Sequence, residues 1–317
     1  MFYKLGAALA LAGLCLGVPA QAIENHVQST PTDVFFFSSG FTPPPSEFGT
    51  FGFRDAYSNA ASISPTGGKP AIQSKVSVNV STLSWVYMTN YRLLGANYGF
   101  VVVQPYFDFN GGIKGTANAF IPGLGPISIP VNQRDHVTGY GQTQIYPILL
   151  QWLDLPHIAV NASVAIQFPD GRYSKTALLN PSTNYYTVLP NFALTYISNF
   201  GQEISTYQEI DINGANTATH YRSGDEYKMT VAAGQHIGDF TVGPAGYYYQ
   251  QLQNDSGSGA HALGASPQAA RVFGAGLAAD YIVRGKPYAV FGSFIKEFAA
   301  RNHAQGIAAS LRLSYSF

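Results

Sequence analysis

Cysteine is nearly missing from the sequence, charge is scarce, and no long apolar run follows the first residues. The one cysteine, Cys15, lies in the N-terminal apolar stretch, so no disulfide framework can hold the rest of the chain. Leu14 precedes it where a lipid-attachment motif needs a small residue, which excludes lipidation. Only 11% of residues are charged, against roughly 25% in an ordinary globular chain. The 17 basic and 17 acidic side chains cancel, which excludes a surface built for nucleic acid or for an anionic membrane face. After Val18 no stretch approaches the ~20 consecutive apolar residues of a membrane-spanning helix. A bundle of membrane helices is excluded, and a soluble domain would normally carry more surface charge.

What is present points to strands. Aromatic residues make up 14% of the chain, and glycine occupies 33 positions. Met1 to Ala22 reads as a secretory leader, with Lys4, an apolar run from Leu5 to Val18, and the cleavage site Ala20-Gln21-Ala22. Residues 23–47, with Val34-Phe35-Phe36-Phe37 and Pro43-Pro44-Pro45, read as a periplasmic segment that folds into or against the rest of the chain. Near the end, Ile307, Ala309, Leu311, Leu313, Tyr315 and Phe317 alternate with Ala308, Ser310, Arg312, Ser314 and Ser316. A period of two gives a strand with one greasy and one wet face. The closing Phe, with Tyr two residues earlier, resembles the terminal insertion signal of bacterial outer-membrane barrels.

The same alternation recurs upstream. Strands are expected at residues 48–57, 75–90, 98–109, 136–150, 157–168, 185–197, 202–212, 226–236, 240–253, 270–283, 287–298 and 306–317. The links between them alternate short (93–96, 153–156, 198–201, 238–239, 284–286) and long (58–70, 111–135, 169–184, 213–225, 254–268, 299–304). Brief periplasmic turns and extended outer loops produce that order in a transmembrane barrel, whereas a soluble sandwich has no reason to follow it. The fold class is therefore all-β: a transmembrane antiparallel β-barrel of about twelve strands over residues 48–317. Within 75–90, Val76, Val78 and Val80 give way to Leu83, Trp85 and Tyr87, a change of phase that predicts a β-bulge near Ser81 and Thr82.

Motifs for chemistry are sparse. Gly274-Ala275-Gly276-Leu277-Ala278-Ala279 matches G-x-G-x-x-A, but alternation runs straight through it, so it reads as a strand with glycines toward a crowded lumen. The histidines (His26, His136, His157, His220, His236, His261, His303) have no metal-ligand spacing, and no G-x-S-x-G occurs. No cofactor, metal or catalytic set is expected. The partners expected are outer-membrane lipid and small solutes, with the chain acting as a monomer.

Three patterns, Phe168-Pro169-Asp170-Gly171-Arg172-Tyr173, Asn216 through Glu226 (NTATHYRSGDE) and Gly246-Tyr247-Tyr248-Tyr249-Gln250-Gln251, stand with Glu297 and Arg301-Asn302. Together they resemble the phenol meta-pathway degradation family of outer-membrane β-barrel proteins, over roughly residues 48–317. The resemblance implies a barrel for uptake of small hydrophobic, chiefly aromatic, compounds. It implies no ring chemistry, which needs flavin or iron sites absent from these motifs. Counting strands back from a periplasmic Phe317 places Gln104, Tyr106, Asp108, Gln167, Tyr173, Glu209, Tyr221, Glu226, Tyr249, Gln251, Glu297 and Arg301 around the outer mouth. These are the candidate solute-binding residues, since Tyr offers apolar area with a polar tip. A lipid-modifying hydrolase using the plentiful Ser and His, and a structural barrel without a solute path, are the alternatives.

Overall fold

The computed structural model describes residues 32–61, 72–121, 125–262 and 269–317. The leader expected at residues 1–22 lies outside them. Thirteen strands run in order: β1 (Thr50–Ala61), β2 (Ile72–Leu93), β3 (Ala96–Ile121), β4 (Gly125–Tyr140), β5 (Gln144–Leu155), β6 (Ile158–Gln167), β7 (Thr187–Ile197), β8 (Gln202–Asn213), β9 (Glu226–Ile237), β10 (Phe240–Gln251), β11 (Arg271–Ile282), β12 (Tyr288–Arg301) and β13 (Gln305–Ser316). Every neighbouring pair is antiparallel, and β1 pairs with both β2 and β13, so the sheet closes. β4 and β5 share one column, pairing with the far and near halves of β3. Thirteen strands thus make twelve columns. Closure leaves no unpaired edge in lipid, where an unsatisfied backbone group costs several kcal/mol.

The outer face carries the apolar set. Leu277 (66% exposed), Phe294, Leu311, Leu313 and Phe192 all stand outside the wall. At the end holding Phe317 and the short turns, here the lower end, Phe51, Trp85, Phe100 and Phe317 form a ring-to-ring chain with centroids 5.4–6.4 Å apart. Aromatic rims of this kind sit at a membrane–water boundary. Leu277 faces Phe294 across β11–β12. Leu277→Arg is expected to lower unfolding free energy by about 2–4 kcal/mol, read by urea titration in lipid vesicles. A loss below half a kcal/mol would remove Leu277 from the hydrocarbon zone.

Two expectations are corrected. β2 pairs with β1 and β3 without interruption through Ser81 and Thr82, and its register shift falls between Met88 and Arg92 instead. Val76, Val78 and Val80 simply face inward on a regular strand, whereas Leu83, Trp85 and Tyr87 face outward. What changes near Ser81 is the surroundings, because the outer face passes from lipid to water there. The stretch 111–135 is a hairpin rather than a loop. β3 and β4 stay paired from Tyr106↔Tyr140 to Ile121↔Gly125, with residues 122–124 outside the described part.

Candidate functional site: the lumen cavity

The two-residue period decides which side chains enter the lumen. Tyr207, Glu209 and Asp211 of β8 point inward, as do Glu226, Lys228 and Thr230 of β9. Antiparallel register sets Glu209 opposite Lys228 and Asp211 opposite Glu226. The Lys228 Nζ lies 2.6 Å from Asp211 Oδ2 and 3.6 Å from both Glu209 Oε1 and Glu226 Oε2. The Tyr207 hydroxyl donates to Glu209 Oε2 at 2.6 Å. All four ionisable side chains are buried, so one ammonium is shared among three carboxyl groups in a medium that screens little.

The opposite wall of the ring is apolar. Val80, Val86, Val101, Val103 and Phe107 from β2 and β3 line the same cavity as Glu209 and Lys228. That cavity has a volume of about 880 Å³, within the range typical of small-molecule sites. It reaches the lower end at Ser198, Gly238 and Arg284.

Crossing the lumen is the segment before β1. Asp33 pairs with Arg54 of β1 at 2.8 Å, both buried. Farther along, Ser38 N donates to Glu203 Oε1 at 2.6 Å, Gly40 N to Thr195 Oγ1 at 2.9 Å, and Asn161 Nδ2 to Ser39 O at 2.6 Å. Phe35 packs on Tyr207 with centroids 5.0 Å apart, beneath the charged cluster. Gly40 is required here, because a Cβ would collide with the Ala159 carbonyl oxygen. Phe36 and Phe37 are buried among Ala232, Ala245, Tyr247 and Ile295.

The upper end is covered by inward-folded links. Leu179 of the β6–β7 link packs on Val78, Phe109 and Val137, and Gln142 Nε2 donates to Tyr185 O at 2.7 Å. The β8–β9 link joins it where Asn216 Nδ2 donates to the Tyr173 hydroxyl at 2.8 Å. Asp255, before the short helix Gly257–Ala262, accepts from Tyr221, Gly224 N and Gln251. Burial nonetheless pushes its carboxyl above the usual carboxylate range. Burial likewise pushes the His303 imidazole, in the β12–β13 turn, below its ordinary value.

The family model described as "Putative MetA-pathway of phenol degradation" matches residues 58–313, most of the barrel. The chain belongs to this family. Among solved structures, an outer membrane channel from Pseudomonas putida F1 is similar to this phenol-degradation family member, with a TM-score of 0.62 and 14% identity. That likeness covers 91% of this chain and 99% of the other. The transport unit of the autotransporter AIDA-I from Escherichia coli gives a TM-score of 0.51 at 8% identity, covering 86% and 91%. At such identities the likeness is one of fold. A comparison with curated proteins finds no match.

The family member's expected binding residues divide into four groups. Gln167, Glu209 and Glu226 point inward, Gln167 and Glu209 lining the cavity and Glu226 completing the cluster. Tyr173, Tyr221 and Gln251 brace the cover. Tyr249 is buried against His303, and Glu297 accepts from the Tyr247 hydroxyl at 2.6 Å and from Gly306 N at 2.7 Å. Gln104, Tyr106 and Asp108 are corrected in placement, and Arg301 sits apart from them. The first three project from the outer face of β3, where Asp108 meets exposed His136 at 2.8 Å, and Val101, Val103, Pro105 and Phe107 line the lumen instead. Arg301 is exposed at the upper end of β12. Lys228, Tyr207 and Tyr146 also line the cavity and Asp211 pairs with Lys228, although no motif marks any of them. The inward set of Glu226, Lys228 and Thr230 was legible, but which carboxyls it meets depends on cross-strand register.

Proposed function

We propose that this chain is an outer-membrane channel facilitating uptake of small hydrophobic, chiefly aromatic, compounds, with Phe317 and the short turns on the periplasmic side. The observation that carries the reading is the lumen cavity of about 880 Å³, open toward the lower end and apolar on one wall, inside a lipid-facing barrel. Family membership and the fold shared with a solved outer membrane channel support it. A small ring loses water-exposed apolar surface on the valine and phenylalanine wall, worth roughly 25 cal/mol per Å². The chain acts by passage rather than by catalysis. His136 engages Asp108, and His236 engages Glu203 and Thr241, so neither of these two imidazoles is paired with a serine. Cells lacking the chain are expected to grow more slowly on limiting aromatic substrate and to recover when it is restored. Unchanged growth across a panel of such substrates would remove the reading.

A further inference from the structure

Cross-strand register lines inward side chains of five strands into one row. Thr82 of β2 stands opposite Arg54 of β1, and Arg54 opposite Arg312 of β13. Arg312 in turn faces Phe291 of β12, and Phe291 faces Asp280 of β11. Two guanidinium groups are therefore neighbours, and they are matched differently. Arg54 donates to Asp33 Oδ1 at 2.8 Å. Arg312 lies against ring faces instead, its guanidinium carbon 3.9 Å from the Phe291 centroid and 5.0 Å from that of Phe35. Among the described residues no carboxylate forms an ion pair with Arg312.

The acids of this row stand behind its bases. Asp33 and Asp280 line a second cavity of about 20 Å³, and neither lines the main one. Arg54, Arg312 and Phe291 line both. A solute in the main cavity thus meets the guanidinium groups of the row without meeting its carboxyls. Contact with ring faces also leaves the N–H edge of a guanidinium unused, and that fork matches a carboxylate.

Beside the row the wall is nearly bare. Ser314, Gly52, Ser84 and Val103 are successive cross-strand partners over β13, β1, β2 and β3, and all four line the main cavity. Gly52 offers no side chain, and a Cβ there would collide with Ser84 Oγ. A small apolar body can lie over Gly52, with its far side on Val103, while an acid group reaches Arg312.

We propose that Arg312 is a carboxylate-binding residue of the lumen: it takes the acid group of a small apolar monocarboxylate on its N–H edge, and the apolar body lies over Gly52 against Val103. This rests on the uptake reading and adds anions to the solutes that the lumen accepts.

The test is calorimetric binding of benzoate and of its uncharged isostere benzamide to the purified full barrel in detergent at neutral pH, with empty micelles as reference. Benzoate is expected to bind roughly tenfold more tightly, since hydrogen bonds between charged groups are the stronger kind. Arg312→Gln is expected to weaken benzoate roughly tenfold and to leave benzamide within about twofold. Arg312→Lys keeps the charge without the fork and is expected to weaken benzoate about threefold; it decides should Arg312→Gln fail to fold. Gly52→Val, which keeps every charge, is expected to weaken both probes. Equal affinities in the native protein, or a benzoate preference untouched by the Arg312 variants, would overturn the assignment, and full affinity in Gly52→Val would overturn the placement of the body. Uptake of both probes by cells is measured alongside. Loss of the uptake reading would appear there, as no chain-dependent entry of either probe, with the binding ratio intact.

Discussion

Lys228→Ala is expected to lower unfolding free energy by about 3–5 kcal/mol, because it strips from three buried carboxyl groups the one ammonium that the described residues supply. Those groups come from β8 and β9, and the register pairs Glu209 with Lys228 directly. With the ammonium gone, Asp211 and Glu226, both buried, keep no other ion-pair partner among the described residues. Urea titration of the refolded barrel, followed by tryptophan fluorescence and by heat-dependent gel mobility, reads the effect. Lys286→Ala is the matching control. Lys286 lies exposed in the turn between β11 and β12, and its loss is expected to change stability by less than about 0.5 kcal/mol. Equal effects for the two lysines would mean that the cluster is hydrated rather than buried.

Deleting residues 33–44 is expected to raise single-channel conductance several-fold in a planar bilayer. Twelve strands leave a lumen that side chains and one crossing segment can largely fill. Here the segment bonds to β1, β6, β7 and β8, so it spans the bore rather than hugging one wall. Its removal also strips Phe36 and Phe37 from a buried cluster, and the deleted barrel is expected to be less stable as well as more open. Arg54→Met separates the two effects. It releases only the Asp33 end, leaves both phenylalanines in place, and is expected to produce brief openings on an otherwise low conductance. Unaltered conductance in both variants would show that the segment does not set the bore.

Twelve columns were legible because lipid imposes the simplest possible rule on a strand, apolar outward at every second residue, as in Ile307 to Phe317. That rule fails where lipid ends. On β3, Gln104, Tyr106 and Asp108 face outward above the hydrocarbon, while Val103, Pro105 and Phe107 face a cavity that is itself apolar, so the pattern is inverted and the two faces were exchanged. Residues 111–135, with Gly111, Gly112, Gly115, Pro126 and Pro130, lack alternation because the hairpin rises past the membrane and no lipid selects a face. Motif residues Tyr173 and Tyr221 were recognisable as a pattern, but not their duty. They tie together links far apart in sequence, and only the fold brings Asp255 beside Tyr221 or Asn216 beside Tyr173. The lumen segment is ambiguous for a related reason, since its partners are single side chains on six separate strands.

The central claim is that aromatic solutes pass through the cavity inside the wall, and filling that cavity tests it most directly. Val103→Trp places an indole on the apolar wall without altering the lipid face. The measurement is uptake of radiolabelled phenol by cells with an intact lipopolysaccharide leaflet, because plain phospholipid admits small rings unaided. Cells lacking the chain and carrying the native barrel should regain uptake, and cells carrying folded Val103→Trp should stay near background. Native uptake rates through the filled barrel would contradict a route through the lumen.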